Sequence, residues 1–320
     1  MTHRLGIGGL VVLCGGLMAA CGSTASGPSP APASGGLVWA APVQVSEVGL
    51  MSVSCTSATF CMAVDATGGA WRYDGSAWKG QIIDGSDYGL TAVSCAGGGS
   101  CAAGDPQGYG LTYSGGSWSQ LEGPDIDGGG FSGVSCVSRD FCMAVDGDGN
   151  ALTYDGKSWS PLVPIDSQGS LTSVSCVSAS FCVAGDDGGR ALTYDGSGWS
   201  SPQGVAGGVN LFVSCVSSSF CMAVGGEDGD DAAIFSGTSW SQPLDIHPPD
   251  DLTGVSCPSS DFCVAVTLRG YAMIFDGTAW SAGSRIDAHA GDVDTSSVSC
   301  AGTGFCVAVD ETGRAVVGEG

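Results

Sequence analysis

The run "VSCVSASFC" (174–182) sets two cysteines, Cys176 and Cys182, six positions apart. Thiols this close can ligate a metal, cycle as a redox couple, supply a nucleophile with its resolving partner, or staple a hairpin as a disulfide. The same separation recurs in Cys55/Cys61, Cys95/Cys101, Cys136/Cys142, Cys215/Cys221, Cys257/Cys263 and Cys300/Cys306. Structural zinc sites pair cysteines at spacings of two to four with further Cys or His nearby. Only His247 and His289 follow the first twenty residues, so zinc is poorly served. A redox couple built seven times over is no better. A staple fits the geometry. If Val177 pairs with Phe181 across a turn at Ser178, Ala179 and Ser180, the cysteines lie opposite each other on antiparallel strands, about 4.5 to 5.5 Å apart and within bridging range. The expectation is seven local disulfides, each closing a short loop and contributing about 2 to 2.5 kcal/mol on the chain-entropy model.

The carboxylates and histidines are the other groups that could do chemistry. Four residues after the second cysteine stand Asp65, Asp105, Asp146, Asp186 and Asp310. Such an aspartate can form the turn that ends a strand, or it can serve calcium. "DGDGN" (146–150) copies the start of an EF-hand loop, with Asp146, Asp148 and Asn150 as oxygen donors. Ala151, however, replaces the required Gly, and Lys157 the bidentate Glu. "GGEDGDD" (225–231) is a second acidic loop. Calcium is the one cofactor these loops admit; no other is expected. His247 in "LDIHPPDD" and His289 in "RIDAHAGDVD" occupy corresponding places, and with adjacent aspartates they are the candidate catalytic residues of a hydrolase or lyase. The six arginines after the leader are scattered over different repeat positions and assemble no anion site.

The elements that position these groups repeat. Successive first cysteines lie 40, 41, 40, 39, 42 and 43 residues apart. Each unit carries four short runs of the types "SVSC", "FCVAV", "ALTY" and "WSxP", separated by Gly, Asp, Ser and Pro, which is strand punctuated by turn. Four strands in about 40 residues is the arithmetic of a β-propeller blade. The last unit ends at "GRAVVGEG" without its tryptophan strand, while "LVWAAPVQVS" (37–46) has no cysteine pair before it. The fold expected is therefore all-β: a seven-bladed β-propeller over 37–320, whose last blade is closed by an N-terminal strand (37–46) beside C-terminal strands (296–320). Trp39 then completes a ring with Trp78, Trp118, Trp159, Trp199, Trp240 and Trp280.

Three resemblances add to this reading. "MTHRLGIGGLVVLCGGLMAACGS" is a signal peptide (1–20) whose end resembles the lipobox of bacterial lipoproteins, with Met18 where that family usually has Leu. The resemblance implies that Cys21 becomes N-terminal and carries a diacylglyceryl group. It also accounts for the one cysteine left over once Cys14 goes with the leader. Residues 21–36, rich in Gly, Ser, Pro and Ala, read as a tether of about 20 Å root-mean-square reach. "TYDGSGW" (193–199) resembles the Asp-box of sialidases and the tectonin-type repeat, with one spacer fewer than the Asp-box between Asp195 and Gly196. In this sequence it reads as a hairpin turn in which Asp accepts backbone hydrogen bonds and Gly takes positive φ. Seven-bladed propeller lyases that use His, Glu and magnesium are similar at the level of fold only.

Net charge is −23 for the chain and −24 once Arg4 leaves with the leader. That charge excludes binding to nucleic acid through phosphates. The function expected is a ligand-binding or protein-interaction module, exported and lipid-anchored at the outer face of the cell membrane. Its expected partner is an envelope protein or a glycan.

Overall fold

A computed structural model describes residues 36–85, 88–119, 123, 129–207, 210–225, 230–287 and 295–320. The expected leader, Cys21 and all of the expected tether but its last residue lie outside them. The described residues form seven antiparallel sheets, six of them built from consecutive strands. In blade 1 these are Leu50–Ser57, Phe60–Asp65, Gly69–Tyr73 and Trp78–Ile82. Blade 4 repeats them as Leu171–Ser178, Phe181–Asp186, Arg190–Tyr194 and Gln203–Gly204. Blade 7 takes Thr295–Gly302, Phe305–Asp310 and Arg314–Glu319 from the C-terminal end. Its outer strand comes from Val38–Trp39 and Val43–Gln44. Val38 pairs with Glu319, Trp39 with Gly318, Val43 with Ala315 and Gln44 with Arg314. The expected fold and its closure are both present.

The second strands explain the modest side chains. Cys61, Met62, Ala63 and Val64 are at most 1% exposed, because both faces of this strand are covered by neighbouring blades. Six of the seven apolar clusters among the described residues therefore span two blades: Met62, Val64 and Ala70, for example, pack with Leu90, Val93, Ala103 and Leu111. Volume is exchanged across the junction. A Cβ at Gly104 would overlap the ring of Phe131, so the one large residue at that position requires glycine opposite it.

All seven cysteine pairs are disulfides: Cys55–Cys61, Cys95–Cys101, Cys136–Cys142, Cys176–Cys182, Cys215–Cys221, Cys257–Cys263 and Cys300–Cys306, with Cα atoms 3.9 to 4.1 Å apart. The second cysteine of each pair is enclosed by the blades. Cys61, Cys182, Cys221, Cys263 and Cys306 are fully buried, and Cys101 and Cys142 nearly so. These sulfurs are therefore core atoms as well as crosslinks: Cys221 packs with Val183, Val213 and Phe235, Cys263 with Met222 and Phe275, and Cys306 with Val264 and Val316. None of the three is a site open to a metal, a redox partner or a substrate, because no solvent reaches it. A buried disulfide is also harder for a reductant to attack than an exposed one.

The turn inside the clip corrects the expected pairing. Ser178 pairs with Phe181, leaving a two-residue turn at Ala179 and Ser180, and Val177 is an extra residue in the inner strand. The bulge restores the register, so Cys176 still faces Cys182. In blade 6 the irregularity is longer, running from Ser256 to Ser259, so Cys257 and Cys263 are joined by the disulfide without being ladder partners, while Cys263 pairs with Phe275 of the third strand. Pro258 follows Cys257 there and has no amide to give the ladder. Only blade 2 has the three-residue turn, with Ala96 opposite Ser100 across Gly97, Gly98 and Gly99. Gly98 and Gly99 sit at φ 86° and 72°, a backbone that the Ala and Ser of other blades avoid.

A feature missed in the sequence closes the ring. The serine of each "VSC" accepts the cysteine amide of the next blade at 2.9 Å. Cys95 donates to Ser54, Cys136 to Ser94, Cys176 to Ser135, Cys215 to Ser175, Cys257 to Ser214 and Cys300 to Ser256. Cys55 donates to Ser299 and completes the circle. The channel inside holds about 240 Å³ and is lined by Ser, Thr, Gly and apolar residues without a charged side chain.

Candidate functional site

The aspartates at the ends of the second strands are buried turn-formers. Asp65 Oδ1 accepts the amides of Thr67 and Gly69, while its Oδ2 accepts Trp71 Nε1 and Ser46 Oγ, all within 2.9 Å. Burial works to raise its pKa, but these donors outweigh burial and hold the carboxyl below its ordinary value. Asp146 uses Oδ1 for the amides of Asp148 and Asn150, and Oδ2 for the Asn150 side-chain amide. The EF-hand-like run is folded as a turn in which the Asn150 side-chain amide donates to Asp146, and Asp148 is exposed. Among the described residues no group of three or more His, Cys, Asp and Glu converges.

Two arginines bind blades together. Arg190 Nε meets Asp186 Oδ2 at 2.6 Å in its own blade and Nη2 meets Asp166 Oδ2 at 3.3 Å in the preceding one. Arg314 does the same with Asp310 at 3.1 Å and Asp287 at 3.4 Å. The carboxylates in both bridges are at most 5% exposed. A signal was present in the sequence: "PID" and "RID" after the outer strand, and Arg four residues beyond the strand-two aspartate.

His247 lies on the same rim but joins no cluster. Its side chain is 84% exposed, and Nδ1 lies 2.8 Å from Asp245 Oδ1. Its backbone has φ 51°, a left-handed conformation that turns the chain at this loop. His289, its expected companion, lies outside the described residues, as do 226–229 of the second acidic loop. The "YDGxxW" segments are turns as expected: Asp195 Oδ1 accepts the amides of Ser197 and Gly198, and Gly196 has φ 91°. Tyr194 and Trp199 then bracket the turn with ring centroids 5.4 Å apart.

Two concave surfaces of binding size lie on the outer rim. One, of about 550 Å³, lies between Pro161, Val163 and Pro164 of blade 3 and Tyr194 and Trp199 of blade 4. A second, of about 670 Å³, lies between Val38, Ala40 and Val43 of blade 7 and Tyr73 and Trp78 of blade 1. Both exist because the outer strand is interrupted. Trp159 bridges Tyr154, yet regular pairing resumes only at Val163 and Pro164. Val38, Val43 and Val163 are 76%, 56% and 52% exposed, so each groove has an apolar lip above a half-buried aromatic pair. Volumes of this order suit a ligand or peptide segment.

No family model matches the chain, and no curated protein does either. Solved structures do share its fold. YCF48, solved bound to a D1 peptide, superposes with a TM-score of 0.68 at 14% identity, covering 87% of this chain and 96% of its own. The WD40 β-propeller domain of Doa1 gives 0.74 at 10% identity, over 89% and 97%. U3-55K gives 0.72 at 9% identity, over 87% and 98%.

Proposed function

We propose that this protein is an extracytoplasmic interaction module that takes extended segments of a partner protein into its rim grooves. The observation that carries the reading is the recurrence of one groove chemistry at two junctions, 3–4 and 7–1: an interrupted outer strand, an exposed valine and a Tyr–Trp pair. Aromatic anchors beside apolar, solvent-facing positions are what protein-binding surfaces use for affinity. Propellers generally serve protein interaction, and one structural neighbour was solved with a peptide bound. The acidic surface favours a basic or neutral segment.

The leader and the seven disulfides support placing the module outside the cytoplasm. Cys21, lipidated, would hold it at the outer face of the membrane through the 21–36 tether. An envelope polypeptide is the partner this placement favours over a glycan. The test is photocrosslinking in intact cells, with a photoreactive residue at Val43, Val163 or the control position Asp140. Discrete adducts from the groove positions, lost on Trp78→Ala or Trp199→Ala, are expected. Adducts equally abundant from Asp140, or none from either groove, would overturn the reading. Cys21→Ser should release the protein from membranes, and unchanged membrane retention would remove the anchor.

A further inference from the structure

The same two positions meet at the junctions between blades: the residue after one blade's outer strand and the residue ending the next blade's second strand. At junction 7–1 they are Ser46 and Asp65, hydrogen-bonded at 2.8 Å. At 3–4 and 6–7 they are paired carboxylates, each pair bridged by an arginine. Junction 1–2 has the paired carboxylates, Asp84 and Asp105, but Tyr109 stands where Arg190 and Arg314 stand. Asp84 is placed like Asp166 and Asp287, for its amide donates to Gly68 O as theirs do to Gly149 O and Gly270 O.

Asp105 is the exception among its sisters. Its Oδ1 accepts the amides of Gln107 and Tyr109. Its Oδ2 is buried without a hydrogen-bond partner. In the four sister aspartates that oxygen has a side-chain donor: Trp71, Asn150, Arg190 or Arg314. Asp84 and Asp105 are both 0% exposed. Burial raises the pKa of Asp105, its two turn amides oppose the rise, and the charge of Asp84 adds to it. Two buried like charges are costly, and a cation between them removes most of that cost.

We infer that junction 1–2 is a calcium site, in which Asp84 and Asp105 hold the cation where two sister junctions hold a guanidinium. Hard oxygen donors select calcium or magnesium. Calcium accepts flexible geometry, whereas magnesium demands a near-ideal octahedron and dehydrates reluctantly, which suits a solvent-excluded junction poorly. The two carboxylates supply the charge, and main-chain carbonyls or water supply the remaining oxygens. The ion acts as an inter-blade clip, a role separate from the rim grooves.

Calorimetry and thermal melting of the chelator-treated full chain, titrated with calcium chloride and in parallel with magnesium chloride, test this. One calcium per chain and a melting temperature that rises with calcium are expected. Asp105→Asn and Asp84→Asn should each abolish the response, and Asp140→Asn, a surface control, should leave it intact. Tyr109→Arg should melt higher without calcium and no longer respond. No heat and no melting shift would overturn the site. So would a response that survives in Asp105→Asn and Asp84→Asn, which is binding to the acidic surface. An equal response to magnesium would overturn the assignment to calcium. Stabilisation on acidification with no effect of calcium would overturn it too, since the pair would then share a proton.

Discussion

The inner ring and the turn face of this propeller are built from the same seven units, yet they obey symmetry differently. On the inner ring every blade has a disulfide and every "VSC" serine accepts the next blade's cysteine amide at 2.9 Å. At the turn face the equivalent position is Asp in five blades, Gly225 in the fifth and Thr267 in the sixth, and the aspartates have different partners. Positions that hold the scaffold are under one constraint repeated seven times. Positions whose partners come from a single junction are free to diverge, and the distinct chemistry of this protein lies there.

The largest effect expected on this comparison is reduction. At about 2 to 2.5 kcal/mol per clip, losing all seven approaches the 5 to 15 kcal/mol stability of an ordinary domain. Reductant should therefore unfold the chain near room temperature, as read by circular dichroism. The double substitution Cys176→Ser/Cys182→Ser should cost only one clip's share. Equal melting of oxidised and reduced protein would break the comparison at its base.

A smaller effect has opposite signs at two equivalent positions. Asp65→Asn turns an amide donor toward Trp71 Nε1 and Ser46 Oγ, and should destabilise by about 1 to 3 kcal/mol in urea unfolding. Asp105→Asn gives the orphan Oδ2 position a donor facing Asp84, and should stabilise the calcium-free protein at pH 7. The same sign at both positions would show that the turn face is as uniform as the ring. On the inner ring, by contrast, Ser54→Ala, Ser175→Ala and Ser299→Ala should each cost the same, about 0.5 to 1.5 kcal/mol.

The pH dependence sharpens the contrast further. The depressed pKa of Asp65 gives stability that is present above its unfolded value and lost as pH falls through the folded one. The raised pKa of Asp105 does the reverse: its folded form binds the proton more tightly, so the calcium-free protein gains stability as pH falls through that folded value. Acid titrations of Asp65→Asn and Asp105→Asn should differ from the parent with opposite slopes. Least affected should be His247→Ala, within about 0.5 kcal/mol, because the imidazole is exposed and, among the described residues, meets only Asp245.

The seven-fold repeat, the four strands per unit, the disulfide pairing and the swapped closing strand were all legible in the chain, because each follows from spacing between residues close in sequence or identical in type. Legible too was the turn role of the strand-two aspartates, since an aspartate at a bend readily accepts the backbone amides a few residues ahead of it. What the tertiary structure alone decided is the company those residues keep. The burial of Cys221, Cys263 and Cys306 comes from the neighbouring blade, which no spacing within a repeat encodes. Whether Asp105 meets a donor depends on Tyr109 and on a blade whose contact with it is likewise absent from local pattern. The turn inside each disulfide hairpin depends on whether glycine is there to take positive φ. Strand pattern sets the register within a sheet, but burial between sheets sets charge and partner. There, a single substitution such as Tyr for Arg changes the electrostatics without disturbing the fold.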